Sequence, residues 1–301
     1  MKNTHLQHPE DSILTGDLSV LDWFLTESDL SVKIDGAPAI VWGTNPATGK
    51  FFVGTKSVFN KVKIKINETH DDIDRNHSGV VANILHHCFD CLPSFDGIVQ
   101  GDFLGFGGDD TFTPNTITYI FPEVIDQDII IAPHTFYDTV TGELKDAFVT
   151  DKSYSFDDTE YVKFVQPDAW QIDEDFEEIV SFARQMSTLC EFVNDKQSRQ
   201  IQQQLNSIIR AGLDIDELTL EALAFANQID MNVLRLWSLV RSIKADMLFL
   251  MRNNGPKAYI GNRQCGGEGY VRVNDYGMFK LVNREQFSHA NFNNGRFACA
   301  S

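Results

Sequence analysis

No apolar run in this sequence approaches the length that spans a bilayer, and the opening residues, Met1 to His8, lack the apolar core of a signal peptide. A cytoplasmic location with no membrane partner is therefore expected. Cysteine is scarce and odd in number. Cys88, Cys91, Cys190, Cys265 and Cys299 are scattered, which predicts reduced thiols rather than a disulfide framework. Cys88-x-x-Cys91, preceded by His86 and His87, has the look of half a zinc site. No second pair follows at metal-ligand spacing, and Ile84, Leu85 and Phe89 suit a buried helix, so core packing is the preferred reading. Positive charge is also in short supply: 25 basic against 43 acidic residues leave a net charge of −18. A field of that sign repels nucleic acid, so such a partner needs a locally basic face. The stretch holding Lys50, Lys56, Lys61, Lys63 and Lys65 is the candidate.

What is present is ordinary globular material. The 301 residues, 43% hydrophobic, suffice for one large or two modest domains. Leu18 to Phe24, with Ser12 and Asp17 as possible caps, predicts a short helix. Residues 39–42 and 50–54 flank a Pro- and Gly-containing turn and predict a hairpin. Gly43 to Lys50 has the wrong glycine spacing for a phosphate-binding loop, and no helix follows it. Val80 to Leu92 predicts a helix, and strands are expected at 97–106, 117–121 and 128–132. After about Ala169 apolar residues recur at helical spacing, with Val233, Leu234, Trp237, Val240, Lys244 and Met247 as the last set. The chain closes on a second hairpin pattern, 269–273 and 278–282. The expected fold is α+β, with strands in 1–168, a mainly helical insertion in 169–256 and the last strands in 257–301.

Four charged residues stand in or at the ends of these strands beside glycine, aromatic or apolar neighbours: Lys33, Asp102, Glu268 and Lys280. Lys33 is the oddest. Apolar neighbours disfavour an ammonium ion, which makes the amine a usable nucleophile, while a lysine snorkelling from an exposed strand face is the alternative.

Lys33-Ile34-Asp35-Gly36 resembles the K-x-D-G nucleophile motif of the covalent nucleotidyltransferases, the superfamily of ATP-dependent DNA and RNA ligases and mRNA-capping enzymes. Ile98 to Phe103, with Gly101-Asp102, is similar to the motif whose acid contacts the ribose, and Phe136-Tyr137-Asp138 to the one whose aromatic stacks on the base. Glu268-Gly269-Tyr270-Val271 resembles the E-G-x-V motif, and Phe279-Lys280-Leu281 the last motif, whose lysines hold the α-phosphate. Lys33 to Ala39 and Phe51 to Lys61 also closely resemble stretches of phage-encoded ligase-like proteins. The chain departs from the pattern in three places. Pro38 stands where many ligases have arginine, Asp102 replaces the usual glutamate, and Lys280 lacks a second lysine at K-x-K, with Arg284 as its possible substitute. No oligonucleotide-binding barrel is evident after the last motif.

The resemblance implies an antiparallel nucleotidyltransferase core, ATP-grasp-like, that uses ATP and Mg²⁺ or Mn²⁺ through a lysyl-AMP intermediate. Lys33 would be the nucleophile, Glu268 and Asp102 the metal-facing acids, and Lys280 a phosphate clamp. Val32, Ile34, Gly36, Lys56, Asp102, Phe136 and Tyr137 would line the nucleotide. The partner would be a nucleoside triphosphate and then nucleic acid ends, RNA before DNA. A different acceptor and a catalytically inactive nucleotide-binding protein are the competing readings. Asp35 and Asp138 read as turn-formers and Arg272 as a solvated strand residue.

Overall fold

The computed structural model describes residues 6–150 and 152–287. Cys299 and the first five residues lie outside them. The described chain forms α1 (Pro9–Ser12), α2 (Ser19–Leu25) and β1 (Asp29–Lys33), then β2 (Ala39–Thr44) and β3 (Phe51–Gly54). Helices α3 (His70–Asn76) and α4 (Gly79–Cys91) follow. Next come β4 (Ile98–Phe106), β5 (Thr111–Phe112), β6 (Thr118–Ile120), β7 (Ile129–Thr139), β8 (Ala147–Val149), β9 (Val162–Phe164) and β10 (Ala169–Gln171). The helices α5 (Glu177–Ser187), α6 (Asp195–Arg210), α7 (Glu217–Asn227) and α8 (Met231–Leu250) lead into β11 (Met251–Asn253), β12 (Lys257–Ile260), β13 (Arg263–Cys265), β14 (Gly269–Asn274) and β15 (Gly277–Val282). At 37% helix and 26% strand, with antiparallel ladders apart from the parallel pair β7 and β9, the chain is α+β as expected. Among the described residues no helix is long and apolar enough to cross a membrane.

The chain divides into two units that interleave in sequence. One comprises Ile34–Pro167 with Gly255–Gly267. Its six-stranded sheet runs β3-β2-β4-β7-β8 with β9 alongside β7, and its second sheet runs β13-β12-β6-β5. Alternation decides which side chains each face of the larger sheet receives. Ile40, Trp42, Val53, Val99, Phe103 and Phe136 share a core with Ile84, Leu85 and Cys88 of α4. Val41, Phe52, Ile98 and Tyr137 on the opposite face pack with Val58 and Leu144. Cys88 is thus core, as its apolar helix neighbours suggest.

The other unit comprises Leu6–Lys33, Asp168–Asn254 and, among the described residues, 268–287. The three sequence segments 1–168, 169–256 and 257–301 are therefore distributed differently: the helical stretch shares one apolar core with α2, β14 and β15, through Trp23, Phe24, Trp237, Met247, Tyr270, Phe279 and Leu281. Helices α6, α7 and α8 start on side-chain caps. Asn194 and Gln197 form a reciprocal capping box at α6, and the Asp216 and Asp230 carboxylates accept backbone N–H bonds at α7 and α8. The two ends of the helical stretch are tied by the antiparallel ladder of β10 and β11, with Ala169 opposite Asn253. Helix α5 stops at Ser187, before Cys190 and Val193, and α7 was not evident from spacing because Leu218 and Phe225 interrupt its polar face with exposed apolar side chains.

Candidate functional site

Lys33 ends β1, the edge strand of a three-stranded sheet in the order β1-β14-β15. The register sets Lys33 opposite Gly269 and Val32 opposite Tyr270 in the first ladder, and Gly269 opposite Val282, Tyr270 opposite Leu281 and Val271 opposite Lys280 in the second. Directly opposed residues share a face, so Leu30, Val32, Tyr270, Phe279 and Leu281 turn to the unit's core while Ser31, Lys33, Val271 and Lys280 share the other face. The sequence pattern that looked odd for Lys33 is therefore ordinary alternation, with the apolar neighbours on the side away from the lysine. Glu268 stands one residue before the β14 ladder. Its Oε2 accepts from Lys33 Nζ at 2.5 Å, across 235 residues of sequence. Gly269 makes that approach possible: at φ +145° and with a Cβ that would lie 2.1 Å from the Leu281 carbonyl oxygen, no other residue fits.

Lys280, two residues before Val282 on the same face, has its pKa lowered, chiefly by burial and further by the positive charges of Lys33 and Arg284, against opposition from Glu268 and Asp11. Arg284 does not stand in for a second motif lysine. It is buried, and its guanidinium donates to Glu10 at 3.1 Å, to Asp11 at 2.9 Å and to Asn206 at 2.5 Å. Lys244, which fell in the apolar stripe of α8, donates to the same Glu10 at 2.5 Å. Arg272 is likewise not solvated. It donates to the Trp23 and Thr26 carbonyls at 2.6 and 2.8 Å, at the C-terminal end of α2, and lies over the Trp23 ring.

In the other unit Asp102 lies on β4, opposite Ala39 of β2 and two residues beyond Gln100 on one face. Gly36 packs on it so closely that a Cβ there would meet the Asp102 Cβ at 2.9 Å and the Phe103 carbonyl at 2.7 Å. The glycine of the first motif is thus required by the strand carrying the third. Asp35 accepts from Asn115 Nδ2 at 3.0 Å and from the Thr116 N–H at 3.3 Å, so it fixes a loop. The β4 and β7 register skips one residue between Gln100 and Gly101, leaving His134 as the extra residue of a bulge. His134 Nε2 lies 3.5 Å from Asp102 and 3.3 Å from the Gln100 amide, whose oxygen accepts from the Tyr137 hydroxyl at 2.9 Å. His134 and Gln100 were missed in the sequence. Pro133, a proline inside a strand, was the signal for the bulge.

The two aromatic candidates are both occupied within their own unit. Phe136 is buried against Phe95, Tyr154 and Phe156, and Tyr137 is buried against Phe59. Neither ring offers a free face for a base. Asp138 pairs with Lys152 at 2.8 Å, and Ile34 is buried. Of the lysine stretch, Lys56, Lys61 and Lys63 are exposed, whereas Lys65 donates to the Asn76 carbonyl at 2.6 Å and Lys50 lies 3.7 Å from Glu68. Among the described residues no three His, Cys, Asp or Glu side chains converge as a metal site.

A single family model matches residues 3–229 and 216–296. The chain belongs to this family of unknown function (DUF6267). No curated protein and no solved structure matched it.

Proposed function

We propose that this chain is an ATP-dependent, ligase-like nucleotidyltransferase that carries AMP on Lys33. One observation carries the reading. Lys33 and Glu268, drawn from two motifs at opposite ends of the sequence, meet at 2.5 Å, and Lys280, from a third, shares their sheet face.

In the proposed step Lys33 Nζ attacks the α-phosphorus of ATP. Lys33 Nζ gives one proton to solvent before attack; the N–P bond then forms, the bond from phosphorus to the bridging oxygen breaks, pyrophosphate leaves, and a second N–H proton passes to solvent. The ion pair with Glu268 holds Lys33 Nζ in place, and nucleotide binding draws the two apart before attack. Lys280, on the same sheet face, meets the α-phosphate as a cationic clamp. Glu268 would supply one hard carboxylate donor to a Mg²⁺ ion brought with the nucleotide. When bound, the ion neutralises charge on the phosphates. The acceptor in the same reading is a nucleic acid end, RNA before DNA, and exposed Lys56, Lys61 and Lys63 are the basic residues available to its phosphates. The sheets of the two units would be those of a nucleotidyltransferase core.

The test is self-labelling. With α-labelled ATP and Mg²⁺ the protein should gain an acid-labile, alkali-stable AMP adduct that is missing in Lys33→Ala. Absence of label on the wild-type chain with all four nucleoside triphosphates overturns the proposal.

A further inference from the structure

Helices α3 and α4 carry the same spacing twice: His70 and Asp74 on one, His86 and Asp90 on the other, each pair at i and i+4 and so on one helix face. The partners cross between helices. His70 Nε2 lies 3.0 Å from Asp90 Oδ1, and His86 Nε2 lies 3.0 Å from Asp74 Oδ1. A carboxylate at that distance accepts a hydrogen bond from the Nε2–H, which leaves Nδ1 of each ring as the lone-pair nitrogen. Those two Nδ1 atoms face one another at 2.7 Å. Two lone pairs repel at that separation unless a cation lies between them. The rings are nearly parallel, with centroids 5.0 Å apart, and Phe89 packs edge-on against His70 at 5.0 Å.

We propose that His70 and His86 bind a divalent cation of the zinc class through their Nδ1 atoms, with Asp90 and Asp74 as the carboxylates that orient the rings. The arrangement has the parts of a carboxylate–histidine–metal relay, in which the second nitrogen of each ligand donates to an acid and the ring becomes a better donor to the metal. Imidazole selects Zn²⁺, Cu²⁺ or Ni²⁺ over Mg²⁺ or Ca²⁺. Two bonds of about 2.0–2.1 Å at a tetrahedral angle place the nitrogens about 3.3 Å apart, so a ring shift of about 0.6 Å admits the ion. Both histidines are open to solvent, and water completes the coordination shell. Asp71 and Asp72 on α3 add negative charge that favours a dication over a proton. The ligand set differs from the sequence pattern of His86 and His87 with Cys88 and Cys91, since Cys88 is buried in the core and His87 Nδ1 is turned to the Asn83 carbonyl.

The experiment titrates the full chain with Zn²⁺ against a chromophoric chelator. Wild type should bind one equivalent more than the double variant His70→Gln/His86→Gln, and Asp74→Asn/Asp90→Asn should keep that equivalent with roughly 10- to 100-fold lower affinity. Equal stoichiometry and affinity in wild type and the histidine double variant overturn the proposal and leave a shared proton as the occupant. Should the variants misfold, histidine ¹⁵N spectra of wild type decide instead. Zn²⁺ must move the Nδ1 resonances of two rings, and unmoved Nδ1 resonances overturn the site.

Discussion

Lys33 Nζ and Glu268 Oε2 lie 2.5 Å apart, one at the end of an edge strand and the other at the mouth of its neighbour. The pair is held by backbone, because Gly269 between them admits the β15 strand where a side chain would collide with Leu281. A lysine so placed is positioned but not yet reactive. Release of its carboxylate partner is part of any covalent chemistry at this amine.

Glu268→Gln keeps a hydrogen-bonding group beside Lys33 and removes the charge. The single-turnover rate of Lys33 labelling by ATP is expected to fall by about 10²–10³, the scale set by loss of one preorganised polar group in a reacting site. A wild-type rate in this variant removes Glu268 from the reaction.

Gly36→Ala places a methyl against the Asp102 Cβ and the Phe103 carbonyl. Overpacking against backbone should lower stability by about 1–3 kcal/mol in urea unfolding. Gly266 has open space around the same position, and its alanine variant should stay within about 0.5 kcal/mol of wild type.

Arg284→Met leaves Glu10 and Asp11 buried beside Lys244 with one cation fewer. Breaking a buried pair from one side costs about 3–5 kcal/mol, read as a lower urea midpoint. Arg184→Met, which removes a 2.5 Å bridge to Asp22 at the surface, should cost no more than about 1 kcal/mol.

His8 has its pKa held well below the ordinary histidine value, because burial outweighs the attraction of Glu10 and because Lys244, Arg284 and Lys280 repel its charged form. Its Nδ1 is buried with no hydrogen-bond partner. The unfolded chain then takes up a proton near about pH 6.5 that the folded chain refuses, so this residue's contribution is complete above that pH and declines as the pH falls toward the folded value. His8→Leu should lose less stability than wild type between pH 7.5 and 5.5. Parallel losses in the two proteins would count against the account.

The hairpins around Trp42 and Lys280, the helix of Val80 to Leu92 and the long stripe of α8 were legible because local patterns fixed them: alternation, turn residues and 3.6-residue spacing. The meeting of Lys33 with Glu268 was legible only through motif resemblance, since pairing across 235 residues leaves no local trace. What stayed hidden was polar and long-range. Arg272 reads as a solvated strand residue and Arg284 as a substitute for the second motif lysine because sequence cannot show that carbonyls at the end of α2, or the carboxylates of Glu10 and Asp11, await them. Lys244 was the one visible hint, a cation inside an apolar stripe. Phe136 and Tyr137 matched a base-stacking motif, yet alternation sent them to opposite faces of the sheet, each already packed.

The tryptophans give the two units separate optical reporters. Trp42 is buried in one unit, Trp23 and Trp237 are buried in the other, and Trp170 is half exposed. The indole of Trp237 donates to Asp11 at 3.2 Å, and that of Trp23 lies under the Arg272 guanidinium. Emission from a chain keeping Trp42 alone follows melting of the six-stranded sheet, and emission from one keeping Trp237 alone follows melting of the helical core. Separate midpoints in the two single-tryptophan chains mark two transitions, and coincident midpoints mark one cooperative transition.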